Sequence, residues 1–142
     1  MRRSEPSAFE YFKHTLTQRY ADFNGRSRRS EYWYFVLFQI VTMIPLYLIG
    51  IIGMASESLA VGFTGMGLYL IAAFGFFIPS LAVAVRRLHD TGRSGWYYLI
   101  AFIPLVGGII LIVFLVEDSH PNDNQWGPNP KVGRDEIIDH LG

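Results

Sequence analysis

The sequence has no cysteine, which excludes disulfides, thiolate zinc sites, iron–sulfur clusters and cysteine nucleophiles together. Charge is scarce as well. Only 17% of the 142 residues are Asp, Glu, Lys or Arg, against about a quarter in soluble domains. Twelve basic and twelve acidic side chains cancel, so there is no net field to attract nucleic acid. Catalytic signatures are missing: there is no H-E-x-x-H, P-loop or G-x-S-x-G, and Gly92-Arg93-Ser94-Gly95 is one residue short of the last. None of the 14 glycines forms a G-x-x-x-G, so no dimer face is evident from that motif.

Apolar sequence is plentiful: 51% of residues are hydrophobic and the mean hydropathy is +0.25. The length suits one domain. Between Glu31 and Arg86 the only Asp, Glu, Lys, Arg or His is Glu57, and between Arg93 and Glu117 there is none. The uncharged windows Tyr32–Ser56, Ser58–Val85 and Ser94–Val116 hold 25, 28 and 23 residues. About 20 helical residues cross a hydrocarbon core roughly 30 Å thick. The expected fold is therefore an all-α membrane protein with three transmembrane helices, at 32–54, 67–85 and 95–116. The glycine-rich stretch 58–67 is assigned to the first connection. The flanking regions are a cytoplasmic segment, 1–31, and a polar, acidic tail, 117–142. A cleaved signal peptide does not fit, since the first apolar run starts late and is too long for an h-region. Each expected span has one proline, Pro45, Pro79 and Pro104, read as packing kinks of the kind membrane helices tolerate.

Seven cations precede the first span and three (Arg86, Arg87 and Arg93) follow the second, while the tail adds Lys131 and Arg134. Three crossings with the N-terminus inside place ten basic residues in the cytoplasm and two outside, as the positive-inside rule favours. Tyr32-Trp33-Tyr34 and Trp96-Tyr97-Tyr98 then form aromatic belts in one leaflet. The tail is expected outside, unless a break at Pro104–Gly108 turns the third span into a re-entrant hairpin and returns it to the cytoplasm. Phe9, Phe12, Leu16, Tyr20 and Phe23 recur at 3 or 4 residues, one face of an amphipathic helix. That helix is expected at the lipid–water boundary, with packing against the protein's own loop as the alternative.

Three segments carry motifs: Phe23-Asn24-Gly25-Arg26-Ser27-Arg28-Arg29-Ser30-Glu31-Tyr32-Trp33; Arg86-Arg87-Leu88-His89-Asp90-Thr91-Gly92-Arg93-Ser94-Gly95-Trp96 followed by Ile103-Pro104-Leu105-Val106-Gly107; and Asn124-Gln125-Trp126-Gly127-Pro128-Asn129-Pro130. In this order and spacing the chain, from about Phe9 to Lys131, resembles the bacterial inner-membrane family catalogued as domain of unknown function 805. The resemblance implies a small multi-span protein of the bacterial plasma membrane and brings no activity with it.

The candidate binding residues for lipid headgroups or other anions are Arg26, Arg28, Arg29, Arg86, Arg87, His89, Asp90 and Arg93, because guanidiniums grip phosphate through paired donors. The competing reading is topological: the arginines hold the loop inside, and Glu31 and Asp90 neutralise part of their charge. His89-Asp90 alone makes neither a catalytic pair nor a metal site, which usually needs three protein ligands. The acidic tail matches no EF-hand spacing, so no metal or cofactor is expected. Trp126 is read as lying back on the membrane surface.

The leading function is a non-enzymatic membrane-organising protein, interacting with the bilayer, its anionic headgroups, a second copy or another membrane protein. A transporter or channel would need an oligomer, with Gln39, Thr42 and Ser80 as polar lining. An enzyme acting on lipid headgroups, resting on His89, Asp90 and the arginines, is the third reading.

Overall fold

The structure, a computed structural model, describes residues 6–131. It is all-helical among those residues: α1 (Ala8–Thr17), α2 (Arg29–Ala55), α3 (Leu59–Asp90), a 3-10 helix (Gly95–Phe102) and α4 (Gly107–Val116). Two of these, α2 and α3, are long and apolar enough to cross a membrane; α4 is a shorter apolar helix. Their 27 and 32 residues correspond to rods of about 40 and 48 Å. Apolar side chains point outward along both, with Phe74 78% and Ile71 71% exposed. That distribution would be untenable in water and suits a hydrocarbon solvent.

The two long helices form an antiparallel hairpin turned at Glu57, whose φ is +58°. Helices in lipid associate through close packing rather than hydrophobic burial, and here glycine permits it. A β-carbon added at Gly65 would lie 2.6 Å from the Gly50 nitrogen, and Gly53 faces Gly62 backbone to backbone. The seam is therefore built from a G-x-x-G on each helix. Residues 59–67, expected to be a connection, are the first turns of α3, because Gly62 and Gly65 serve helix contact rather than chain reversal. Farther along, Ser80 Oγ donates to Gln39 Oε1 across 3.0 Å, and Thr42 bonds back to the Phe38 carbonyl at 2.8 Å. Ser80 and Gln39 thus satisfy one another, and Thr42 is satisfied by the backbone of its own helix.

α1 opens with a capping box: Ser7 Oγ accepts from the Glu10 amide at 3.2 Å, and the Ser7 amide donates to the Glu10 carboxylate at 2.6 Å. It then packs on the hairpin, with the Phe12 ring 5.1 Å from Phe38 and 5.7 Å from the fully buried Phe35. Its helix ends at Thr17, so Tyr20 and Phe23 lie beyond it, and its buried face is centred on Tyr11 and Thr15. The amphipathic helix thus lies on α2 and α3, with Phe9 still 57% exposed. Tyr20 donates to the Gly75 carbonyl at 2.7 Å. That is the carbonyl one turn before Pro79, which has no N–H to offer it.

The expected third span is not one helix. The chain breaks between Phe102 and Gly107, where Pro104 cannot donate and Leu105 takes a φ of +69°. Gly107 approaches the Ile100 carbonyl so closely that no side chain would fit. The two arms fold together, and Arg93 before them meets Glu117 after them at 2.6 and 3.1 Å. The α4 arm measures about 15 Å, half a hydrocarbon core. Residues 117–131 consequently share one end of the bundle with the N-terminal segment, rather than the opposite end that a third crossing would give.

The glycine seam makes a sharp prediction. Gly53→Leu should weaken the hairpin by about 1–3 kcal/mol through overpacking, read as an earlier midpoint in detergent unfolding. Gly67→Leu on the facing α3, where nothing lies within 4 Å, should leave the midpoint unchanged or raise it.

Candidate functional site

Among the described residues the buried charged side chains converge where α3 ends. Arg87 stands in its last turn and Arg86 just before it, which sets cations at the negative end of the helix dipole. The irregular segment 24–28 crosses this end, turned by Gly25 at φ +82°. The tail covers the other side. Arg26, Arg86, Arg87, His89 and Asp90 are all buried.

Burial of a guanidinium is tolerable only where its donors are matched. Arg26 has five N–H groups and five partners. Its Nε donates to Asp90 Oδ1 at 3.0 Å, Nη1 to the carbonyls of Asn122 (3.0 Å) and Gly127 (3.3 Å), and Nη2 to those of Asp90 (3.2 Å) and His120 (2.8 Å). Arg87 donates to the second Asp90 oxygen, the Leu115 carbonyl (3.0 Å), the Ser27 carbonyl (3.3 Å) and the Glu117 carbonyl. Arg86 holds Ser27 Oγ (3.0 Å), Glu31 (3.3 Å) and the Asp22 carbonyl. Asp90 also accepts from Ser119 Oγ at 2.6 Å. One carboxylate therefore links the segment before α2, the end of α3 and the tail.

His89 and Asp90 point to different partners. The His89 ring lies 4.4 Å from Trp126, nearly parallel at 5°, and its Nδ1 donates to the Gly25 carbonyl at 3.1 Å. Burial pushes the imidazole below its ordinary pKa of 6.5, partly opposed by the Gly25 bond. Trp126 is thus seated on His89 and not on the membrane surface. The turn that carries it is closed by reciprocal backbone bonds between Asn124 and Gly127 at 3.0 and 3.1 Å, while Asn124 Nδ2 donates to the His89 carbonyl at 2.9 Å. Among the described residues no cluster of three or more His, Asp or Glu could hold a metal ion.

The remaining candidates differ in exposure. Arg28 is the N-cap of α2. Arg93 is held by Glu117 and lies over the Phe114 ring at 4.0 Å. Arg29 is the loosest: its side chain is 47% exposed, with Asp118 at 3.8 Å and the Val116 carbonyl at 3.5 Å. Glu31 neutralises Arg86 and Arg19. Sequence reasoning missed Ser27, Ser119 and the buried Asn129, whose Nδ2 donates to the Pro121 carbonyl at 3.0 Å. Only their membership of the motif segments pointed to Ser27 and Asn129; Ser119 had no signal.

The family described as "Protein of unknown function (DUF805)" matches residues 20–128. Among curated proteins, the inner membrane protein YhaI of Escherichia coli strain K12 is 38% identical over 119 residues, 84% of this chain and 94% of that protein. The inner membrane protein YhaH of the same strain is also 38% identical over 119 residues, 82% and 93% of the two chains. No solved structure matches. The matched region contains every member of the buried charge cluster.

Two outcomes test the cluster. Asp90→Asn leaves two buried guanidiniums without a counter-charge and should cost about 3–5 kcal/mol; Arg26→Lys keeps the charge but offers three donors for five acceptors. Both should release residues 117–131 to protease. For His89 the folded pKa lies below the unfolded one, so its contribution is full above about pH 6.5 and is lost as pH falls below that value. The thermal midpoint should drop between about pH 7 and 5.5, with a shallower drop in His89→Gln.

Proposed function

The chain belongs to the family of unknown function DUF805, and from that membership we propose that it is a non-enzymatic, multi-pass protein of the bacterial inner membrane that organises lipid or a partner at its charged end. The relatives named as inner membrane proteins and the two long apolar helices support the location. α2 and α3 cross the bilayer, and the 3-10 helix and α4 enter it as a re-entrant hairpin from the charged side.

Orientation follows from charge. Among the described residues every Lys and Arg belongs to α1, the segment before α2, the first residue of α2, the end of α3, the turn after it or the tail, while the loop at the far end carries Glu57 alone. The positive-inside rule sets the charged end in the cytoplasm, with the N-terminal segment and the tail together.

The observation that carries the non-enzymatic reading is the complete use of Arg26. A side chain with five donors bound to five acceptors of its own chain is a fastener, with nothing left for a substrate. Arg86 and Arg87 are engaged in the same way, so the arginine collar acts chiefly by holding the tail and the hairpin in place. Surface around this fastened end is what meets the headgroup layer.

Fusions test the topology. A fluorescent protein after residue 142 should light up in the cytoplasm, and alkaline phosphatase fused there should stay inactive. Phosphatase inserted beside Glu57 should be active. An active phosphatase at residue 142 would overturn the two-crossing reading.

A further inference from the structure

The exposed Arg29 opens onto a cleft of about 370 Å3 lined by Arg29, Ser30, Trp33, Tyr34 and Val116. We propose that this cleft binds the phosphate of an anionic glycerophospholipid, Arg29 gripping the phosphate and Trp33 and Tyr34 flanking the glycerol region. The assignment deepens the reading of a lipid-facing charged end by moving the ligand from the whole collar to one residue set.

Four observations carry it. Arg29 is the under-used guanidinium of the cluster: its contacts at 3.5 and 3.8 Å are longer than a good charge-assisted bond of about 2.7–2.9 Å, whereas Arg26, Arg86 and Arg87 are spent on the chain itself. Ser30 Oγ is buried and has no hydrogen-bond partner among the described residues. No side chain caps α2, so the positive end of a long helix dipole adds to the Arg29 charge beside this cleft. Finally, Arg29, Ser30, Trp33 and Tyr34 occupy successive turns of one helix where the apolar run of α2 begins, the depth at which Trp and Tyr settle between headgroup and acyl chain.

One neighbour opposes the anion. Asp118 approaches Arg29 at 3.8 Å and is itself bonded to Lys131. Its carboxylate is a weak internal competitor that a bound phosphate displaces toward Lys131. That competition gives the proposal a gain-of-function test which a purely structural Arg29 would not pass.

The experiment counts lipids bound to the purified full chain in neutral detergent micelles by native mass spectrometry, with phosphatidylglycerol, phosphatidylcholine or inorganic phosphate added. Wild type should prefer phosphatidylglycerol by about fivefold, the factor one basic residue commands near an anionic headgroup. Arg29→Gln should bring phosphatidylglycerol down to the phosphatidylcholine level with no change in thermal midpoint. Arg29→Lys should fall between, since charge remains and the fork is lost. Asp118→Asn should raise phosphatidylglycerol binding above wild type. Equal binding by wild type and Arg29→Gln, or no gain in Asp118→Asn, would overturn the site. Displacement of the lipid by equimolar inorganic phosphate would overturn the lipid assignment in favour of a free anion. Micelles have no sides, so failure here leaves the topology of the charged end to the reporter fusions, and failure there leaves this titration intact.

Discussion

The architecture of the charged end rests on one buried carboxylate. Asp90 receives Arg26 on one oxygen and Arg87 and Ser119 on the other, and through these arginines the segment before α2, the end of α4 and the tail are tied to it. Desolvating these ions is costly, and the cost is offset only because each guanidinium finds nearly all of its acceptors at once. The carbonyls the arginines use include that of Leu115 at the end of α4, and those of residues 117, 120, 122 and 127 belong to a stretch with little regular structure of its own. The arginines thus substitute for a sheet or helix in satisfying that backbone. The tail is ordered by them, and they are buried by the tail.

Two solvents divide the molecule. Toward Glu57 the hairpin relies on glycine contact and outward-facing apolar side chains, the economy expected in hydrocarbon. Toward Asp90 it relies on ion pairs and hydrogen bonds to carbonyls. α1 lies at the junction, with Phe12 among the rings of Phe35, Phe38 and Phe76, while Tyr20 repairs the carbonyl that Pro79 leaves free. Pro79 is therefore a kink with a dedicated partner, which is how a proline survives inside a long apolar helix.

The long helices were legible because charge is absent from residues 32–56 and 58–85, and that signal needs no periodicity. The same uniformity hid the break at Pro104–Gly107. A segment that is apolar on all sides carries no phase from which a reversal can be read, and only proline, glycine and the positive φ of Leu105 distinguish hairpin from span. Gly62 and Gly65 were misassigned to a connection because glycine favours turns in water, whereas between membrane helices it is a contact residue. The arginine cluster was visible as composition but not as a buried lock, since most of its acceptors are backbone carbonyls, which leave no mark on a sequence. The pairing of Asp90 with both Arg26 and Arg87 joins positions 64 and 3 residues apart, and only the second of these is local.

The reach of Arg26 also sets an order of events during synthesis. Its partners at Asn122 and Gly127 lie 96 and 101 residues downstream. At ribosomal speeds of about 5–20 residues per second, roughly 5–20 s separate the arginine's emergence from that of its last acceptor. Asp90 follows the arginine by 64 residues, so the ion pair can form first, and the tail carbonyls complete its donors afterwards. The charged end is therefore closed last, and a chain cut short before residue 120 would carry the α2–α3 hairpin with an unlocked end.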